Sequence, residues 1–182
     1  MRSSLYIRAM HPKTEILPEP SAISNILSKG WIGQQKIHGH RAQIHISCDP
    51  KAPVVIYNRQ GKRHAKLPTP SLVKELQRLF RPKKGWNAID AEWLKPEKKI
   101  FIFDFLKFED ELLWRRTYPE RFALLPRSFL SPHVTVLPLL RDLPSCLKVF
   151  HSDEPYNEGL VFKATASTGF SDTAIIRCRR RK

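Results

Sequence analysis

The sequence predicts an α+β domain of twisted, largely antiparallel sheets with a few helices packed on them. Three observations carry that prediction. Several segments alternate apolar and polar residues, most clearly Ala42-Gln43-Ile44-His45-Ile46-Ser47, as a strand with one buried face does. Two strand-like runs, 87–94 and 99–106, are separated only by the polar loop 95–98, which makes them an antiparallel hairpin. Between the strand-like runs lie segments with apolar residues at helical spacing, of which 71–80 (Ser-Leu-Val-Lys-Glu-Leu-Gln-Arg-Leu-Phe) is the clearest.

The elements follow in order. The opening segment, through Pro18 and Pro20, is too proline-rich for a continuous helix and is expected to lie over the surface as an extended arm. Ser21 then caps a short amphipathic helix over 22–29, ended by Gly30. Strands are expected at 33–37, 41–47 and 54–58; a turn at Gly39 joins the first two, and a loop with Pro50 and Pro53 leads to the third. Residues 66–70 form a loop before the helix at 71–80, and the turn at 82–85 leads into the hairpin. Thr117-Tyr118-Pro119-Glu120-Arg121 opens another helix, with Pro119 suited to its first turn. A strand at 134–137, a helix over 143–152 and strands at 159–164 and 174–179 complete the chain. There is no internal repeat, and the one low-complexity stretch is Arg177-Cys178-Arg179-Arg180-Arg181-Lys182.

At 182 residues with 41% hydrophobic content, the chain suits a single domain over 1–182 with a real core, which excludes wholesale disorder. Lys plus Arg number 32 against 17 Asp plus Glu, a net charge of +15. With a pI of about 10.1, that balance points to a polyanionic partner, nucleic acid first. Cys48, Cys146 and Cys178 have neither zinc spacing nor an even framework of bridges, as befits a reducing cytosol. The N-terminus lacks the apolar core of a signal peptide, and no apolar run could span a bilayer. A cytoplasmic protein without membrane partners is expected.

The residues with chemical potential sit where strands end. Lys36 precedes the turn at Gly39, a residue whose missing side chain would let phosphate approach the backbone. An amine attacks phosphorus only when unprotonated, which calls for burial, a neighbouring cation or a bound metal; Arg41 and His38 are at hand. Glu92, in Ile89-Asp90-Ala91-Glu92-Trp93-Leu94, and Glu158, in Asn157-Glu158-Gly159-Leu160-Val161-Phe162-Lys163, are acids against apolar strands. Two such carboxylates suit Mg²⁺ or Mn²⁺ beside a triphosphate. Phe103-Asp104 puts an aromatic next to an acid within a strand, and Arg59 in Asn58-Arg59-Gln60-Gly61 offers a guanidinium at a turn.

Taken in order, these segments resemble the covalent nucleotidyltransferase superfamily of ATP-dependent DNA ligases, RNA ligases and capping enzymes. The family's Lys-x-Asp-Gly, with an arginine two residues on, is matched by Lys36, Gly39 and Arg41. Its Ser-Arg-x-Gly turn is matched by Arg59 and Gly61 with Asn58 for serine, and its Asp-Gly-Glu-Leu strand by Asp90-Ala91-Glu92-Trp93. The aromatic-Asp strand fits Phe103-Asp104, and the helix opening with Glu-Arg looks like Glu120-Arg121-Phe122-Ala123-Leu124-Leu125. Glu-Gly-hydrophobic-hydrophobic-x-Lys is matched in full by 158–163. The resemblance covers residues 31–179.

It implies a ligase-type, ATP-grasp-like nucleotidyltransferase fold and a polynucleotide ligase that forms lysyl-AMP on Lys36 and seals 5′-phosphate to 3′-hydroxyl ends. ATP would bind through Gln34 near the adenine edge, Phe103 stacked on the base, Arg41 near the ribose or the nucleic acid, and Gly39, Arg59, Lys163, Arg177 and Arg179 around the phosphates. Glu92 and Glu158 would hold the metal. Nucleic acid ends or nicks would be the partner of a monomeric domain.

The departures from the family pattern keep alternatives open. His38 stands where DNA ligases have aspartate, and Lys-Ile-His-Gly looks like one branch of RNA ligases, whereas Arg41 and residues 103–125 look more like DNA ligases. Arg177-Cys178-Arg179 replaces a final Lys-x-Lys, keeping the charge but changing its shape. The family's following β-barrel of the oligonucleotide-binding type has no counterpart in these 182 residues, so a second protein supplying it is one expectation. DNA ligase is the first reading, RNA ligase the second, and a non-catalytic nucleic-acid-binding descendant the third.

Overall fold

Two sheets, each backed by its own helices, meet along an apolar seam. The computed structural model describes residues 5–95, 98–126 and 131–180. Pro96 and Glu97 of the expected hairpin loop, and Arg181 and Lys182 of the basic tail, lie outside the described residues. The first sheet runs β1 (Thr14–Glu15), β10 (Ile175–Arg179), β9 (Asn157–Ala164), β2 (Trp31–Ile37). The second runs β4 (Val55–Tyr57), β3 (His40–Ser47), β5 (Trp86–Leu94), β6 (Lys99–Phe108), β7 (Glu111–Leu112), with β8 (Val134–Val136) also on β6. The β5–β6 pair is antiparallel, as the hairpin reading requires.

Each sheet has its own core. Helix α2 (Pro70–Phe80) lays Leu72, Leu76 and Phe80, one stripe at helical spacing, onto Ile44, Ile89 and Ile102 of the second sheet. Helices α1 (Pro20–Ser28) and α4 (Leu143–Phe150) pack Ile23, Ile26, Cys146 and Phe150 onto Leu160, Phe162 and Cys178 of the first. Ile37, Leu94, Phe101 and Leu137 join the two sheets. Among the described residues no helix is long and apolar enough to cross a membrane.

One expectation is corrected, and three features go beyond the sequence reading. Helix α1 starts at Pro20 with Glu19 as its N-cap and no side-chain cap bond, so Ser21 lies inside it; the fixed φ of a proline at the first helical position sets the start instead. Strand β8 runs parallel to β6, joining Ile100–Ile102 through Val134–Val136. The N-terminal arm is extended as expected and adds a strand to the first sheet, Thr14 and Glu15 pairing in parallel with Ile176 and Arg177. Leu112 pairs with Lys107 in β7. The short helix α3 (Tyr118–Phe122) forms where expected, through a capping box: Glu120 accepts from the Thr117 backbone N–H at 2.7 Å.

Candidate active site

The nucleophile candidate stands where β2 breaks register. Lys36 pairs with Gly159 of β9, the register shifts between Lys36 and Ile37, and the bulge turns the end of β2 toward the second sheet. Gly159 has φ +126°, and a Cβ there would stand 2.2 Å from the Cys178 carbonyl oxygen, so only glycine lets β9 pass this close to β10. That passage sets Glu158 beside the lysine: Lys36 Nζ donates to Glu158 Oε2 at 2.5 Å, and His38 Nδ1 is 3.7 Å from the same oxygen. Gly39 borders the same space as Lys36 and is also packed against the second sheet. A Cβ on it would lie 2.9 Å from Glu92 Cγ and 3.1 Å from the Trp93 carbonyl, so the missing side chain makes room for β5 and draws Glu92 up to the turn.

A cavity of about 650 Å³ opens at this point, walled by Lys36, Gly39, Arg41, Arg59, Glu92, Glu158 and Arg177. A narrower slot of about 90 Å³ adjoins it, walled by Gln34, Phe103, Leu137, Val161, Lys163 and Ile175. Lys36, Arg41 and Glu92 border both spaces. The fold thus gathers ten of the eleven site residues read from the sequence. Arg179 is the exception: it borders neither space, and its guanidinium is held by Glu15 at 2.8 and 2.9 Å. Arg177 Nε donates to the same carboxylate at 2.9 Å, so the two arginines converge on an acid of the arm.

Burial sets the electrostatics. Glu92 is pushed up to about 7 by burial first; Arg41 and Lys36 pull it down, and Asp90 and Glu158 push it up. Lys163 is lowered to about 8, again chiefly by burial, with Asp104 opposing and Arg121 assisting. Arg41 clamps Asp90 through Nε at 2.6 Å and a second bond from its Nη2, and its guanidinium carbon lies 5.0 Å from the Phe103 ring centroid. Asn58, standing for the family's serine, builds the Arg59 turn: its Oδ1 accepts from the backbone N–H of Gln60 at 2.9 Å and of Lys62 at 3.0 Å.

Sequence reasoning missed what holds Gln34. Its Nε2 donates to the Leu137 carbonyl at 3.0 Å, which turns Oε1 toward Tyr118, whose hydroxyl donates to it at 2.6 Å. The same hydroxyl is 3.0 Å from the Phe103 carbonyl, which also receives Lys163 Nζ at 3.2 Å; its one proton takes the shorter contact, to Gln34. No local pattern links residues 84 positions apart. Tyr118→Phe strands a buried amide oxygen and is expected to cost about 1–3 kcal/mol. In thermal melting that is a Tm lower by roughly 2–10 °C for a chain of this size. An unchanged Tm would show the hydroxyl to be idle.

By sequence, no family model matches the chain and no curated protein matches it. Solved structures do. Mycobacterial DNA ligase D complexed with ATP and MES superposes with a TM-score of 0.67 at 15% identity, covering 96% of this chain and 60% of that one. The ligase domain of M. tuberculosis LigD gives 0.60 at 16% identity, covering 92% and 57%. The chain therefore spans about 60% of the length of these structures. Together with the two sheets and the cleft between them, the superpositions establish that the chain has the ligase-type nucleotidyltransferase fold.

Proposed function

We propose that the protein is an ATP-dependent polynucleotide ligase working through a lysyl-AMP intermediate, with DNA ends as its first substrate class. The observation that carries the proposal is the place of Lys36, bordering both the slot and the cavity with its amine held by Glu158 at 2.5 Å. Adenine enters the slot beside Phe103 and Gln34, and the triphosphate extends into the cationic cavity. Lys36 Nζ, having lost a proton, attacks the α-phosphorus; the N–P bond forms as the bond to the bridging oxygen breaks, and pyrophosphate leaves. A 5′-phosphate oxygen then attacks the same phosphorus, the P–N bond breaks, and Lys36 regains its proton. Last, a 3′-hydroxyl attacks the activated 5′-phosphorus and AMP departs. Arg59, Arg177 and Lys163 neutralise charge as it develops on phosphate oxygens.

Glu92 and Glu158 fit the metal expected from the sequence. Among the described residues no group of three or more His, Cys, Asp or Glu could hold an ion unaided. Two carboxylates are what Mg²⁺ takes when phosphates and water complete its shell. When bound, the ion supplies charge stabilisation at the α-phosphate. Glu158, whose Oε2 accepts from Lys36 Nζ at 2.5 Å, and Glu92 are the residues that would hold it.

The test is incubation with α-labelled ATP and Mg²⁺. Label is expected on the denatured band, and its absence from the wild type removes the ligase reading. Sealing assays on nicked DNA, nicked RNA and single-stranded RNA then assign the substrate. RNA ligase is the second reading because His38 lies exposed at the cavity mouth, 3.7 Å from Glu158, in place of the DNA ligase aspartate. Equal binding of all three substrates with no sealing would favour the non-catalytic descendant.

A pH profile follows from Glu92. With its carboxyl raised to about 7, labelling is expected to climb as pH rises through 7 and the metal ligand becomes an anion. Stability runs the other way. The folded state holds a proton that the unfolded chain releases near the ordinary glutamate value, so this group's contribution declines as pH rises toward 7. Glu92→Gln should flatten that decline and remove the rise in labelling above pH 7. A profile that Glu92→Gln leaves unmoved would assign the ionisation elsewhere.

A further inference from the structure

We propose that the N-terminal arm and the Arg59 turn form a track for a single polynucleotide strand beside the reacting phosphate, with the Arg8 guanidinium on the strand's backbone. The proposal rests on the ligase reading and goes beyond it by giving the strand a path. A second groove of about 230 Å³ lies between arm and turn, walled by Tyr6, Arg8, His11, Arg59 and Gln60. His11, Arg59 and Gln60 also wall the cavity that holds Lys36, so the two spaces run into each other.

The arm is a built wall. Ile7 and the Gln43 side chain exchange two hydrogen bonds, at 2.8 and 2.7 Å. The Tyr6 hydroxyl donates to the Arg59 carbonyl at 3.1 Å, and the His11 backbone N–H donates to Asp172 at 2.9 Å. A surface tied down in this way does not have to be ordered when a ligand binds.

Its charge is directed outward. The Arg8 side chain is 73% exposed and reaches Asp172 only at 4.0 Å, whereas Lys13 holds the same carboxylate at 3.0 Å. Arg59 enters no ion pair among the described residues, and no carboxylate borders the groove. His11, lowered to about 4 by burial and by Arg41 and Arg59, is neutral at pH 7 and offers a hydrogen bond, not a charge. Two guanidinium groups and an aromatic ring in a narrow groove suit a single strand, whose phosphates meet cations and whose bases meet a ring face.

The experiment measures fluorescence anisotropy of a short 5′-phosphorylated single-stranded DNA, and of RNA of the same sequence, over a range of salt concentrations. Arg8→Ala is expected to weaken binding roughly tenfold at about 50 mM salt and to reduce the slope of log K against log salt by about 0.7. Arg8→Lys should restore the slope, and Lys74→Ala on α2 should change neither quantity. Labelling by ATP should be the same in Arg8→Ala as in the wild type. Absence of binding by the wild type, wild-type affinity and slope in Arg8→Glu, or an equal loss in Lys74→Ala would each overturn the track. Failure of the ligase reading appears separately, as a wild type that takes no label, and the anisotropy series still decides the track.

Discussion

Lys36→Ala is expected to take no label from α-labelled ATP, less than about a thousandth of the wild-type signal, while keeping its fold. The loss is complete because the amine itself forms the bond, so the variant lacks the nucleophile and not merely a contact that positions it. The fold survives because Lys36 and Glu158 are both partly exposed, and such pairs contribute no more than about 1 kcal/mol. Lys36→Arg should fail equally. It keeps the charge opposite Glu158, but a guanidinium does not give up its proton to become a nucleophile. The other lysine in the slot is no substitute: Lys163 Nζ is directed at the Phe103 carbonyl at 3.2 Å and lies 4.0 Å from the Tyr118 ring centroid. Label persisting in Lys36→Ala but absent from Lys163→Ala would move the nucleophile to β9 and sink the reading of the first motif.

Motif order was readable because each candidate residue sits in a short local signature. Lys36 with Gly39, Arg59 with Gly61 and Glu158 with Gly159 each pair a charged residue with a glycine next to a strand, and such pairings can be seen without knowing the fold. Their meeting point could not be seen, since β2 reaches β9 across more than a hundred residues. The packing at Gly39 was hidden for the same reason: what an added side chain would meet there is Glu92 and Trp93 of another strand. The arm was the least legible part. Glu15, Tyr6 and Arg8 lie in a proline-containing segment without periodicity, and their partners Arg177, Arg59 and Asp172 are far along the chain. Helix α3 was legible as a helix from its proline, but its capping box and its use of Tyr118 and Arg121 to brace the slot were seen only in the structure.

That bracing carries the largest expected effect on stability. Asp104 accepts from Arg121 Nε and Nη2, both at 3.0 Å, and lies 3.7 Å from Lys163 Nζ, with the Arg121 side chain fully buried. One carboxylate thus faces two buried cations. Asp104→Ala leaves both without an anion, and breaking a buried pair from one side costs about 3–5 kcal/mol. In a chain of this size the Tm should fall by roughly 10 °C or more, a large share of a total stability on the order of 5–15 kcal/mol. Arg121→Met should cost less, because the carboxylate keeps Lys163 and a linear apolar chain fills much of the vacated space. Asp104→Asn should fall between the two, retaining hydrogen bonds but not charge. If Arg121→Met were the most damaging of the three, Asp104 could not be the group that holds both cations. Function should follow in the folded fraction. Asp104 raises the Lys163 amine against the effect of burial, so its removal lowers that amine further below about 8. Less of the slot's positive charge then remains at pH 7, and ATP labelling should need more nucleotide to saturate while the plateau is kept.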